Sequence, residues 1–402
     1  MRVLQTDRPE YIKQIMQDIK VDPYGINIMY PKAMHYLIRM NSVSNIAANI
    51  LKQEMLSLGG DVAVARGALT GRLNKTDCLL IGNLSQFSLL NEKLSRQPFG
   101  LNRLSGELSC VLSNYQKERF VLDLGRYKLR LGNGAHIMGV LNLTPDSFSG
   151  DGLYGRKTEE IIEYAQRLTR EGADILDIGG ESSRPGALAV QEKEELRRVI
   201  PVIKLLVKKV KVPVSIDTYK PQVARAALDS GALIVNDISG LRNPRMGRIV
   251  AQYRAAVVIM HMKGNPLSMQ KSPRYESLID EILQYLEKAI NRAQEAGIDR
   301  DKIIVDPGIG FGKTTGHNLE ILQNLSDFKV LGAPILAGTS RKSFIGKILN
   351  AKPRERIFGT VSSCVLAVKN GAKIIRTHDC LEVKQALKVL DAVNKQGARW
   401  AC

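Results

Sequence analysis

The run HIMGVLN (136–142), a helical stretch at 157–172 and the next apolar run, ADILDIG (173–179), set up a strand–helix alternation that continues to the end of the chain. Six further runs follow: VPVSID (212–217), ALIVND (232–237), AAVVIMH (255–261), KIIVDPG (302–308), APILAGTS (333–340) and AKIIRTHD (372–379). Each is a short block of Val, Ile, Leu or Met, as a strand buried on both faces should be. Helical segments at 188–209, 219–230, 246–254, 275–296, 317–326, 354–371 and 380–396 complete the alternation. Eight such units predict an α/β fold, a (β/α)8 TIM barrel. An open doubly wound sheet is the alternative that the pattern alone leaves.

Upstream, FVLDLGRYKLRLGNGAHI reads as a hairpin, with VLDL and YKLRL around Gly125-Arg126. It is placed to plug the N-terminal end of the barrel, so the boundary is set near residue 119, giving a barrel domain 119–402. Residues 1–118 form a second, small N-terminal α/β domain of unknown role. There Ser42–Leu58 reads as a helix, DVAVA (61–65) and DCLLIG (77–82) as strands, and 84–95 and 101–115 as helices.

Composition narrows the class. The 402 residues suit one barrel plus one small domain. The start MRVLQTDRPEYIKQIMQ has no signal-peptide run, and no stretch nears ~18 uninterrupted apolar residues. No membrane association is expected. Five scattered cysteines, Cys78, Cys110, Cys364, Cys380 and Cys402, read as free thiols of a reducing, cytoplasmic setting, with no zinc site. The formal net charge is +18, but only 5% of residues are aromatic and no aromatic–basic stripe appears. Nucleic-acid binding is therefore not expected, while an anionic small substrate is compatible with the charge.

Polar side chains gather where each strand ends: Asn142, Asp177, Asp217, Asn236, His261, Asp306, Ser340, and Arg376 with His378. In a TIM barrel this end carries the active site. The loops after these ends are long and polar. NLTPDSFSGDG (142–152) has the make-up of a lid with Phe148 at its tip, and GGESSRPGA (179–187) reads likewise. Taken singly, several residues have plainer readings: Asp217 as a helix N-cap, Asp306 as a turn residue, Asn236 as a barrel-interior hydrogen-bonding group, Phe311 as core, His378 as a cap.

NLTPDSFS, ESSRPG, SIDTYK (215–220), NDISG (236–240), DPGIGFGK (306–313), TSRKSFIG (339–346) and RTHD (376–379) occur in the order of the dihydropteroate synthase signatures. The chain resembles that family over about residues 120–402. Two departures stand out: Ser149-Gly150-Asp151-Gly152 where the family commonly reads Ser-Asp-Gly-Gly, and Thr377 where Val is usual.

The resemblance implies condensation of a pterin diphosphate with 4-aminobenzoate by a transferase, with diphosphate lost through a cationic pterin. It implies a pterin pocket of Asp217, Asn236, Asp306 and Lys342. Carboxylates accept from an aminopyrimidine edge, while Asn and Lys serve its acceptors. It places Arg376 and His378 at the diphosphate and Asn142 at Mg²⁺, and counts Asp217, Lys342, Arg376 and His378 as catalytic. Phe148, Ser183, Arg184, Pro185, Phe311 and Ser343 would border the aminobenzoate. It also implies a homodimer built through late barrel helices.

Overall fold

The computed structural model describes residues 1–4, 9–132, 134–144, 152–153, 155–182, 187–266 and 268–394. The chain divides into two compact units, Met1–Ser113 and Asn114–Cys402. That division falls a few residues before the boundary set from the sequence.

In the first unit, helices Pro9–Asp18 and Pro23–Ala33 precede β1 (His35–Ser44), helix Asn45–Ser57, β2 (Asp61–Val64), β3 (Lys75–Asn83) and helix Leu84–Leu94. The strands form an antiparallel sheet in the order β1-β3-β2. Burial alternates along β3, so one sheet face packs on the helices. Leu51 and Met55 meet Val62 and Leu80 of the sheet and Phe87, Leu90 and Leu94 of the next helix. The helix expected from Ser42 begins instead at Asn45, with Ser44 Oγ accepting from the Ala47 N–H at 3.3 Å. Residues 35–44 are a strand whose register breaks between Met40 and Val43, where Ser42 has φ +55°. That irregularity interrupts the alternation by which a strand is recognised.

The second unit is a barrel. A hairpin of β4 (Phe120–Asp123) and β5 (Lys128–Leu131) is followed by β6 (His136–Asn142), β7 (Ile175–Gly179), β8 (Val214–Asp217), β9 (Ile234–Asp237), β10 (Ala256–Met260), β11 (Ile303–Asp306), β12 (Ile335–Ala337) and β13 (Ala372–Thr377). All neighbours in this ring are parallel, and β13 pairs with β6, Ile374 opposite His136. That pairing closes the sheet and removes the doubly wound alternative. Helices follow at Thr158–Arg170, Glu192–Lys209, Pro221–Asp229, Pro244–Gln252, Leu278–Glu295, Thr315–Gln323, Ile357–Lys369 and Cys380–Asn394.

The barrel has two apolar layers. One lies between strands and helices. The other fills the interior with Met138, Ile175, Ile234, Val258, Ile304, Leu336 and Ile374. Leu122, Leu124 and Leu131 of the hairpin join this inner cluster, so the hairpin closes the N-terminal end as its sequence suggested. Each such leucine, once buried, contributes about 1.5–3 kcal/mol. With that end filled by hydrocarbon, the polar strand ends are left at the opposite rim.

Candidate active site

The sheet register aligns the site. Asn142 on β6 pairs with Gly179 on β7, Gly179 with Asp217 on β8, and Asp217 with Asn236 on β9. One row of the barrel wall thus carries an amide, a gap, a carboxyl and an amide. The gap matters: a Cβ at Gly179 would lie 3.6 Å from Asn142 Oδ1 and 3.7 Å from Asp217 Cβ. On the far side of the ring β11 ends in Asp306, in register with Met260. Asp217 is not a helix cap, because the following helix, Pro221–Asp229, is capped at Lys220.

Arg376 on β13 joins this row from within. Its Nε donates to Asp177 Oδ2 and its Nη2 to Asp217 Oδ2, each at 2.7 Å. Asp177 Oδ2 also accepts from Asn236 Nδ2 at 3.0 Å. Burial disfavours the guanidinium charge, but Asp177 and Asp217 outweigh it and raise the Arg376 pKa. The Asp217 carboxyl is pushed up to about 7, chiefly by burial. Arg376 pulls it down, while Asp177, Glu195 and Asp237 push it up.

Beside Arg376, His378 Nδ1 lies 3.0 Å from Ser340 Oγ and His378 Nε2 lies 3.4 Å from Asn142 Nδ2. An amide that donates to Nε2 leaves an Nδ1–H to face Ser340 Oγ. Asn142 Oδ1 faces Gly179 rather than His378. Arg376, His378 and Asn142 therefore share one side of the rim, the side of the β13–β6 pairing.

Asp306 and Lys342 form the other side. Asp306 Oδ1 accepts from the Gly308 N–H at 2.7 Å, so the turn role read from the sequence is fulfilled as well. Burial raises its pKa, against the pull of Lys342. Burial also brings Lys342 down to about 8, with Asp306 resisting and Arg376 assisting. Lys342 donates to Ile309 O, and its ammonium sits 4.8 Å above the Phe311 ring. Phe311 packs on Ile238, Met260, Met262 and Met269, an apolar floor beside the charged groups.

The structure thus brings Asn142, Asp217, Asn236, Asp306, Phe311, Lys342, Arg376 and His378 to one rim. Ser343 opens the short helix Ser343–Leu349 and is exposed. Phe148, Asp151, Ser183, Arg184 and Pro185 lie outside the described residues. Asp177 was read only as a strand-end residue, yet it is 0% exposed and holds both Arg376 and Asn236. An aspartate inside the apolar run ILDIG was the available signal, since a buried carboxylate needs a partner. Among the described residues, no group of three or more His, Cys, Asp or Glu is arranged to hold a metal.

A family model described as "Pterin binding enzyme" matches residues 138–378. This span runs from inside β6 to the histidine after β13 and covers more than half of the chain. The chain belongs to the pterin-binding enzyme family. Within that family it falls among the dihydropteroate synthases, transferases of folate biosynthesis. It is 43% identical over 257 residues to the dihydropteroate synthase of Escherichia coli K12, covering 64% of this chain and 91% of that one. A solved structure, the Xanthomonas albilineans dihydropteroate synthase with 4-aminobenzoic acid, has a TM-score of 0.64 and 43% identity, covering 69% of this chain and 99% of that one.

A further relative is longer. The probable bifunctional folylpolyglutamate synthase/dihydropteroate synthase of Halobacterium salinarum is 36% identical over 389 residues, covering 94% of this chain and 45% of that protein. The uncovered 6%, roughly 24 residues, is far smaller than the first unit, Met1–Ser113. The similarity therefore runs through most of that unit too. Among the described residues, no helix of this pterin-binding chain is long and apolar enough to cross a membrane.

Proposed function

We propose that the residues on this rim condense 6-hydroxymethyl-7,8-dihydropterin diphosphate with 4-aminobenzoate, giving 7,8-dihydropteroate and diphosphate. The observation that carries the reading is the placement of Asp217. It is a carboxyl at the centre of the rim, its side chain 10% exposed, flanked by Asn236 and tied to Arg376 on the diphosphate side.

Asp217, Asn236 and Asp306 supply the acceptors and donors that an aminopyrimidinone edge requires, and Lys342 serves its acceptor atoms. The pterin ring lies against the apolar floor that includes Ile238 and Met260. Arg376 and the His378–Asn142 pair receive the diphosphate. The methylene C–O bond breaks and its electron pair departs with the diphosphate. The dihydropterin is left cationic, and the fixed charge of Asp217 stabilises it. The lone pair of the aryl amine then forms the new C–N bond, and the amine gives up a proton to solvent. Phe311 flanks the aryl ring, joined by Phe148, Ser183, Arg184 and Pro185, with Ser343 toward its carboxylate.

Mg²⁺ belongs to the proposal. Asn142 Oδ1 is a neutral oxygen not taken up by His378, which suits an ion that draws most of its ligands from phosphate oxygens and water. Asn142 would hold the ion, and the ion would supply charge neutralisation for the leaving diphosphate. A homodimer is also proposed. Phe358, Leu366, Leu381 and Val389 are exposed on the last two barrel helices, and light scattering measures the assembly. The test of the reaction is a coupled assay of diphosphate release. Release that depends on both substrates supports the reading; release absent with both substrates present overturns it.

A further inference from the structure

The turn after β11 is held in an uncommon way. Four successive carbonyls each accept a side-chain hydrogen bond: Ile309 O from Lys342, Gly310 O from Gln270 Nε2 at 2.8 Å, Phe311 O from Lys313 Nζ at 3.1 Å, and Gly312 O from Tyr275 Oη at 2.8 Å. The Gly310 N–H donates to Asn318 Oδ1 at 2.7 Å. Gly308, with φ +71°, crosses so close to β10's exit that a Cβ there would sit 1.9 Å from His261 O. A side chain at 308 would have to displace the backbone at one strand's exit.

Lys313 stands out among these donors because it is itself buried, 3% exposed, and projects into the barrel end rather than into solvent. Its second partner is His261 Nδ1, at 2.9 Å. An ammonium or amine can donate to Nδ1 only if that nitrogen carries no proton. Burial and the nearby Lys313, Arg242 and Lys263 charges hold the His261 pKa down to about 2, so the ring stays neutral. The His261 ring is itself braced edge-on by Tyr285, ring centres 4.9 Å apart. Burial holds the Lys313 amine well below its ordinary value, with Asp306 resisting and Lys342 assisting.

We infer that Lys313 and His261 are a positioning pair: His261 fixes the Lys313 amine, and the amine fixes the Phe311 carbonyl and hence the Phe311 ring. Neither touches the pterin or the reacting atoms. This rests on the reading of Phe311 as a wall of the aminobenzoate pocket.

The two ring nitrogens of a histidine can be tested apart. An Asn amide places a polar atom where Nδ1 was, and a Gln amide where Nε2 was. In the full-length protein, His261→Asn keeps an acceptor for Lys313, whereas His261→Gln does not. His261→Gln and Lys313→Met are each expected to raise the KM for aminobenzoate about tenfold, the loss of one buried hydrogen bond. The kcat and the KM for pterin diphosphate should move less than about threefold. His261→Asn should stay within about threefold of wild type for all three. A second readout needs no turnover: amide hydrogen exchange at 308–313 should quicken in His261→Gln and not in His261→Asn. Equal behaviour of the Asn and Gln variants in both readouts, or equal rises in both KM values, overturns the inference. Lack of turnover by wild type would instead overturn the functional reading, and the exchange comparison would still judge the pair.

Discussion

Arg376 Nη2 and Asp217 Oδ2 meet at 2.7 Å across the barrel mouth, linking β13 to β8 over the two strands between them. The carboxyl proposed to steady a cationic pterin is therefore tied to the guanidinium proposed to receive the diphosphate. Asp177 supplies the third member of this ion cluster, and its side chain is fully buried.

The two diphosphate residues should then behave differently. His378→Ala removes a rim contact without disturbing the Arg376 cluster. It should weaken pterin diphosphate by about 1.5–3 kcal/mol, the worth of a hydrogen bond to a charged group, and leave a phosphate-free pterin nearly unchanged. Isothermal titration with both ligands checks this. Equal losses would remove His378 from the diphosphate site.

Arg376→Ala should weaken both ligands, because Asp177 and Asp217 lose their shared cation. Stripping a partner from a buried charge costs about 3–5 kcal/mol. The 22% exposure of Arg376 puts the loss toward the low end of that range. Denaturant unfolding measures it. A midpoint unchanged from wild type would mean that the cluster is not holding this rim together.

The rate should depend on pH as a bell. Asp217 must be ionised to stabilise a cation, and its carboxyl is pushed up to about 7. Activity therefore falls as pH drops through that value. Lys342 must be protonated to serve pterin acceptors as a cation, and it is brought down to about 8. Activity therefore falls again as pH rises through that value. The kcat/KM for pterin diphosphate, followed from about pH 5.5 to about pH 9.5, reports both limbs of the free enzyme. Lys342→Arg should move the alkaline limb upward while the acid limb stays. An acid limb near an ordinary aspartate value would contradict the role given to Asp217.

The barrel unit should fold and turn over by itself, but its start matters. Asn114 Nδ2 donates to Val330 O at 2.9 Å, and Glu118 bridges Lys329 at 2.5 Å and Lys373 at 2.6 Å. A fragment 114–402 keeps these contacts, and a fragment 119–402 loses them. Both are expected to be active, with the shorter melting lower by about 2–4 °C for each 1 kcal/mol lost. Thermal scans and steady-state assays compare them. A folded but inactive 114–402 would show that the first unit completes the site.

The barrel was legible in sequence because strands buried on both faces leave continuous apolar runs, and each run ended in a polar side chain. The site was less legible wherever a role depends on distance rather than position. Asp177 could be seen to end a strand, but its hold on Arg376 and Asn236 needs three strands brought together. Lys313 could be seen inside DPGIGFGK, but not that it turns inward to His261. β1 was missed because its register break at Met40–Val43 hides the alternation.

Condensation at the pterin methylene is judged by the identity of its product. The purified chain would be given the pterin diphosphate, Mg²⁺ and ¹⁵N-labelled 4-aminobenzoate, with products followed by mass spectrometry and diphosphate measured in parallel. Labelled 7,8-dihydropteroate and diphosphate are expected in equal amounts, with both strongly reduced in Asp217→Asn. Diphosphate release without labelled dihydropteroate, or no labelled product at all, would rule out condensation at the methylene.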